Sequence, residues 1–332
     1  MSNTLQLTTA RNDKKDEFYT RYEDIELELN HYLDFNPDLF KDKVLLCPCD
    51  NPEWSNFTKY FVTNFKKLGL KKLISTCYIE DVSDGLFGLD NEVDKTKNGR
   101  VYILTKENYR DDIDVDNLDY DYLETNGDFV NVEITKYRDE SDIIVTNPPF
   151  SLFRKFIVWC QPEKRLVLLI GNINSVSCKE VFPMIKKNKL WLGVTGFTTG
   201  MYFYVPDEYV YKDTYKSKRE IDGRKVMRVA NVCWYSNIDH KKRHELIELV
   251  DKSIDEYVKY DRYDAIDIPN INLIPKNYDQ KMGVPISFLN RYNPEQFEIL
   301  GLDINMEDNV IKGKRFTIDG KSIYARIIIR KI

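Results

Sequence analysis

Asn147-Pro148-Pro149-Phe150 is the stretch of this chain whose residue types and order speak most directly of chemistry. Two successive prolines fix the backbone and remove two amide donors. The Asn147 side chain and the carbonyls beside it then form a rigid row of acceptors. A primary amine complements such a row: if its two N–H groups are held by the Asn147 side-chain oxygen and the Pro148 carbonyl, its lone pair turns toward an electrophile. Phe150 adds a flat face on which a planar base can stack. The turn reads as an amine pocket, and it specifies a reaction class better than a substrate.

Other constellations carry less. Cys47 and Cys49 alternate across a strand with no second pair at zinc spacing, so no metal site is expected. His240 and His244 stand one helical turn apart but lack the internal glutamate of a zinc protease motif, and residues 240–244 read as a basic helix start. No Ser/His/Asp or catalytic-cysteine pattern appears. Phe57, Tyr60, Phe61 and Phe65 recur at helical spacing and read as core.

The elements that must position the turn follow from periodicity. Residues 43–49 form an apolar strand, followed by a helical pattern that runs to Leu68 before Gly69. Residues 72–78 form a second strand and the polar stretch 80–98 a loop excursion. Residues 100–105 and 118–123 can pair as a hairpin. Residues 142–146 make a strand that ends at the Asn-Pro-Pro-Phe turn, with a helix over 152–159 and a strand over 165–170 beyond it. Later strands are expected over 190–194, 201–205 and 228–235, one of them as an antiparallel edge. Apolar strands alternating with amphipathic helices imply an α/β fold with a mostly parallel sheet covered on both faces. Past Ile238 several prolines break the chain into short pieces, which places a domain boundary there: 1–238 and 239–332.

The 332 residues are 42% hydrophobic and 31% charged, an ordinary globular balance with no membrane-length apolar run. The six scattered cysteines and the polar N-terminus indicate a reducing cytoplasm and no membrane association. A net charge of −5 argues against indiscriminate coating of nucleic acid. Acid gathers between Asp111 and Asp128, whereas residues 212–228 and 241–243 are basic, so a polarised molecule with local anion binding fits.

Several segments together resemble the EcoRI-type adenine-specific DNA methyltransferases: Asp16 to Thr20, Cys47 to Phe57, Asn147 to Phe153, Asn231 to Trp234, Asp239 to Lys242, Met282 to Ile286 and Gln296 to Gly301. The resemblance spans nearly the whole chain. It implies a Rossmann-like methyltransferase core with a smaller C-terminal recognition region. It also implies S-adenosylmethionine as donor and the N6 amine of adenine in double-stranded DNA as acceptor, the base being flipped into the Asn147 to Phe150 pocket. A cognate restriction endonuclease becomes a candidate partner; no oligomeric state is specified.

By that resemblance Phe18, Tyr19 and Thr20 lie beside the methionine end of the donor, and residues 47–56 form the first donor loop. This loop departs from the common pattern: Cys47 stands where an acid is usual, and Asp50, Asn51 and Glu53 replace glycines, so Pro48, Cys49, Asp50, Ser55 and Asn56 would supply the contacts. The second strand ends at Tyr78 rather than in a carboxylate, with Glu80 slightly beyond. Asp128 would accept from the donor's adenine amine while Phe129 packs on its ring. Sequence choice is expected from residues 212–228 and the C-terminal region. The motif is shared with amine methyltransferases acting on RNA or protein glutamine, and a DNA-binding member without turnover is a further alternative.

Overall fold

The structure, a computed structural model, describes residues 19–79, 98–197, 199–306 and 313–332. Phe18, Glu80 and all of the expected loop excursion except Asn98 lie outside these residues. The chain divides into two compact units. One runs up to Ser175 and resumes over Gly193–Ile238; the other comprises Val176–Leu192 and Asp239–Ile332.

The first unit is built on a large mixed sheet whose centre is parallel. β2 (Val44–Cys47) lies between β3 (Lys72–Cys77) and β6 (Ile143–Thr146), parallel to both. β6 is in turn parallel to β7 (Leu166–Asn172). These strands are almost wholly buried because both faces are covered, which is why their sequences are continuously apolar rather than alternating. Antiparallel strands flank this centre. On one side stand β4 (Arg100–Thr105) and β5 (Asp121–Tyr122), the hairpin expected there, and on the other β12 (Val232–Ser236).

Helices α1 (Tyr22–Phe35), α2 (Asn56–Thr63) and α3 (Phe65–Leu68) bury apolar side chains, α4 (Val132–Glu140) buries Ile134 and Arg138, and on α5 (Phe153–Cys160) the buried set is Phe153, Phe156, Ile157 and Cys160. The helical run expected through Leu68 is interrupted at Asn64, which caps α2 and whose side-chain amide donates to the Tyr60 carbonyl.

A small antiparallel sheet also belongs to this unit, in the order β1 (Tyr19–Thr20), β9 (Met201–Tyr204), β11 (Arg224–Val229), β10 (Glu220–Ile221). The single strand expected over 228–235 is therefore two. The chain reverses at Ala230 and Asn231, the latter in the left-handed region at φ 60°, so that β11 joins the small sheet and β12 the large one.

The second unit contains α6 (Phe182–Lys186), β8 (Trp191–Leu192) and a five-stranded sheet. Its order is β13 (Lys259–Tyr260), β14 (Tyr263–Asp267), β15 (Met282–Pro285), β19 (Arg326–Lys331), β16 (Phe297–Leu302). A hairpin of β17 (Thr317–Ile318) and β18 (Lys321–Ser322) accompanies it. Inside the sheet Arg326 pairs with Asp267 at 2.7 Å, and the Tyr260 hydroxyl donates to the same carboxylate at 2.8 Å. The basic run expected to start a helix forms only a single 3₁₀ turn, Lys241–His244. There the Arg243 guanidinium lies 3.5 Å from the centre of the Trp191 ring.

Candidate active site

Because β2 and β6 are adjacent and parallel, the loop after one and the turn after the other emerge at the same edge of the sheet. Asp50 joins them. Its two carboxylate oxygens accept from the Ser55 hydroxyl at 2.7 Å and the Thr146 hydroxyl at 2.5 Å, and Thr146 immediately precedes Asn147. The backbone of Asp50 is held as firmly: its N–H donates to the Thr76 carbonyl and its own carbonyl accepts from the Ser75 hydroxyl, both at 2.8 Å. Ser55 also caps α2 by accepting from the Phe57 N–H. Burial pushes the Asp50 carboxyl up to about 7, against the smaller opposing effect of the two hydroxyl donors.

One cleft opens between these elements, lined by Tyr19, Thr20, Cys49, Asp50, Ser55, Asn56 and Asn147, all expected at the site, and by Trp54 and Phe57. The Asn56 side chain donates to the Thr20 carbonyl at 2.7 Å, tying the start of α2 to β1. Trp54, exposed, meets the Tyr19 ring edge-on with centroids 4.3 Å apart. Trp54, Phe57, which reads from sequence as core, and Thr146 are the members that the sequence does not single out. Trp54 lies inside the expected donor loop, and an exposed tryptophan beside a polar loop is the signal that marks it; Thr146 reads from sequence only as the last residue of an apolar strand.

Pro48 is buried beneath the loop, its carbonyl accepting from the Thr76 hydroxyl at 3.3 Å. Pro148 is buried and Pro149 exposed, while Phe150 is half-buried with its ring edge-on to Phe203. Tyr78, Asp128 and Phe129 gather at the end of β3 and are not part of the cleft lining. Gly127 brings their turn there: at φ 80° it lies so near the Cys77 carbonyl that a Cβ would stand 2.2 Å from that oxygen. The Asp128 carboxylate accepts from the Val130 N–H, and the Phe129 ring packs on Phe156 and Trp159 of α5.

Burial raises the thiols of Cys47 and Cys49 far above their ordinary range, which keeps both protonated. Among the described residues no cluster of His, Cys, Asp and Glu is placed to hold a metal ion. A cavity of about 280 Å³ in the second unit is more spacious than the cleft, but its lining, including Arg262, Tyr263, Lys314 and Phe316, holds none of the expected site residues. Size does not select the site; the convergence of polar groups at the ends of parallel strands does.

Comparison with known proteins adds to this geometry. Residues 6–332 match the family model described as adenine-specific methyltransferase EcoRI. The chain is 41% identical to the type II methyltransferase M.EcoRI of Escherichia coli over 98% of this chain and 95% of that protein. It is 31% identical to M.MgeORF184P of Mycoplasma genitalium and 31% identical to M.MpnI of Mycoplasma pneumoniae, each over 97% of both chains. No solved structure matches significantly.

Proposed function

The chain belongs to the EcoRI family of adenine-specific methyltransferases, and on that premise we propose that it transfers the methyl group of S-adenosylmethionine to the N6 amine of adenine in a specific sequence of duplex DNA. The hydrogen bond from Thr146 to Asp50 carries the reading. It links the turn suited to an amine with the loop suited to a donor at the carboxyl edge of adjacent parallel strands, where ligands of open α/β sheets bind. The parallel run β3-β2-β6-β7 supports a Rossmann-like core.

The cleft residues fit a donor. The Thr20 hydroxyl is buried in the cleft wall with no hydrogen-bond partner among the described residues, and a polar ligand there would satisfy it. Tyr19, Thr20, Ser55 and Asn56 would hold the donor, with Trp54 as an aromatic wall. When bound, S-adenosylmethionine supplies a sulfonium methyl group that is already electrophilic. What the chain adds is alignment and exclusion of water. Asn147 and the Pro148 carbonyl hold the two N–H groups of the amine and so aim its lone pair; orientation of this kind supplies up to roughly 7–11 kcal/mol. The N6 amine is paired and stacked in duplex DNA, so the base must leave the helix at a cost of a few kcal/mol, offset in part by stacking on Phe150. We assign the catalytic role to residues 1–238 and a recognition or accessory role to 239–332. A cognate restriction endonuclease is the partner that this reading implies.

Incubation with methyl-labelled donor and separate duplex DNA, RNA and protein acceptors tests the assignment. Label should enter DNA and be recovered as N6-methyladenine. Label found in RNA or on protein glutamine instead would overturn the choice of acceptor.

A further inference from the structure

Residues 212–228 carry seven basic side chains and three acidic ones in a protein of net charge −5. The structure distinguishes these cations from the others of the same unit. Elsewhere lysines sit against carboxylates, Lys66 against Asp111 at 3.0 Å and Lys72 against Glu140 at 2.8 Å. None of the seven makes an ion pair among the described residues. Lys225 and Arg228 donate to the carbonyls of Asp207 and Thr199, while Arg219 and Arg224 lie over the rings of Tyr211 and Tyr204. Lys212, Lys216 and Lys218 are exposed, and their amines have no hydrogen bond, ion pair or ring contact with the described residues.

The backbone that carries these three lysines is nonetheless held in place. Tyr211 and Tyr215 stack with centroids 5.0 Å apart. The Tyr215 hydroxyl accepts from the Arg228 N–H at 2.7 Å and donates to the Lys218 carbonyl at 3.0 Å, and the Tyr211 hydroxyl lies 2.7 Å from the Arg219 carbonyl. Tyrosines thus pin the segment against β11. β11 is hydrogen-bonded to β9 and β9 to β1, whose Thr20 lines the cleft. Three exposed lysines without ion pairs among the described residues, on a segment held against the sheet that also walls the cleft, complement a row of phosphates.

We propose that Lys212, Lys216 and Lys218 form a seat for the sugar–phosphate backbone of the DNA beside the adenine being methylated. The inference rests on the DNA substrate proposed above. Its test replaces all three lysines with glutamine and measures binding of a duplex by fluorescence anisotropy across a salt series, with methyl transfer by the unaltered protein assayed alongside. Each phosphate contact contributes roughly 0.9 to the slope of log affinity against log salt. The triple variant should therefore show a slope shallower by about 2–3 at an unchanged melting temperature, whereas Lys66→Gln should keep the original slope. An unaltered slope in the triple variant, with the unaltered protein methylating DNA, overturns the seat and leaves the proposed activity standing. The shallower slope, in a protein whose unaltered form binds DNA without methylating it, supports the seat and removes the activity.

Discussion

Asp50, expected to touch the donor, lines the cleft, and both of its carboxylate oxygens accept from hydroxyls of the protein, those of Ser55 and Thr146. Its effect on the reaction would pass through the position of Asn147. Burial raises its carboxyl from the ordinary range to about 7, so the folded protein retains a proton that the unfolded chain has lost. The stabilisation from that retained proton is complete below about pH 4 and disappears as pH rises through 7. Asp50→Asn keeps the shape without the charge, and either hydroxyl can turn to accept from the new amide. Between pH 5 and pH 8 the variant should gain roughly 2 kcal/mol on the unaltered protein, read as melting temperatures over that range; a gain in the opposite direction would show that the carboxylate is favoured where it stands. The turn proposed to hold the amine can be read from sequence because its four residues are consecutive. The Thr146 contact cannot, since it joins residues 96 positions apart that meet only once β2 and β6 are paired.

Among the elements, α1 contributes a buried acid that fastens it to the loop before β9. Glu28 accepts from the Tyr32 hydroxyl, the backbone N–H groups of Val194 and Thr195, and the Thr195 hydroxyl, at 2.6–2.9 Å. Burial raises its carboxyl, and these donors oppose the rise. Gly193 sits so close that a Cβ would lie 2.3 Å from the Glu28 oxygen. Glu28→Ala would strand two backbone donors in the interior at about 1–3 kcal/mol each. The expected loss is roughly 3 kcal/mol in urea unfolding, and a loss well below 1 kcal/mol would mean that water reaches the loop. Strands with both faces buried were readable from their apolar runs. The turn between β11 and β12 was not read, although Asn231, a poor strand former that tolerates the left-handed region, is the signal that marks it. The Asp222-Gly223 pair, both residues at positive φ, is the signal that could have revealed the β10–β11 hairpin.

At the scale of the whole molecule, a modest negative charge hides a segregated surface. In the first unit Lys59, Lys66, Lys72 and Lys106 pair with acids, whereas Lys212, Lys216 and Lys218 of the same unit make no ion pair among the described residues. Family membership was legible because short matching segments are spread along the chain. The division into units was less so: residues 176–192 join the C-terminal part by packing that no local pattern announces. Asn147 is proposed to orient an adenine amine for methyl transfer. Single-turnover reaction of the unaltered protein and of Asn147→Ala with labelled donor and duplex DNA, followed by digestion to nucleosides, tests it most directly. N6-methyladenine is expected from the unaltered protein, with a loss of at least about 10²-fold in rate for a variant that has lost this alignment yet melts at an unchanged temperature. Undiminished N6-methyladenine from Asn147→Ala would contradict that role.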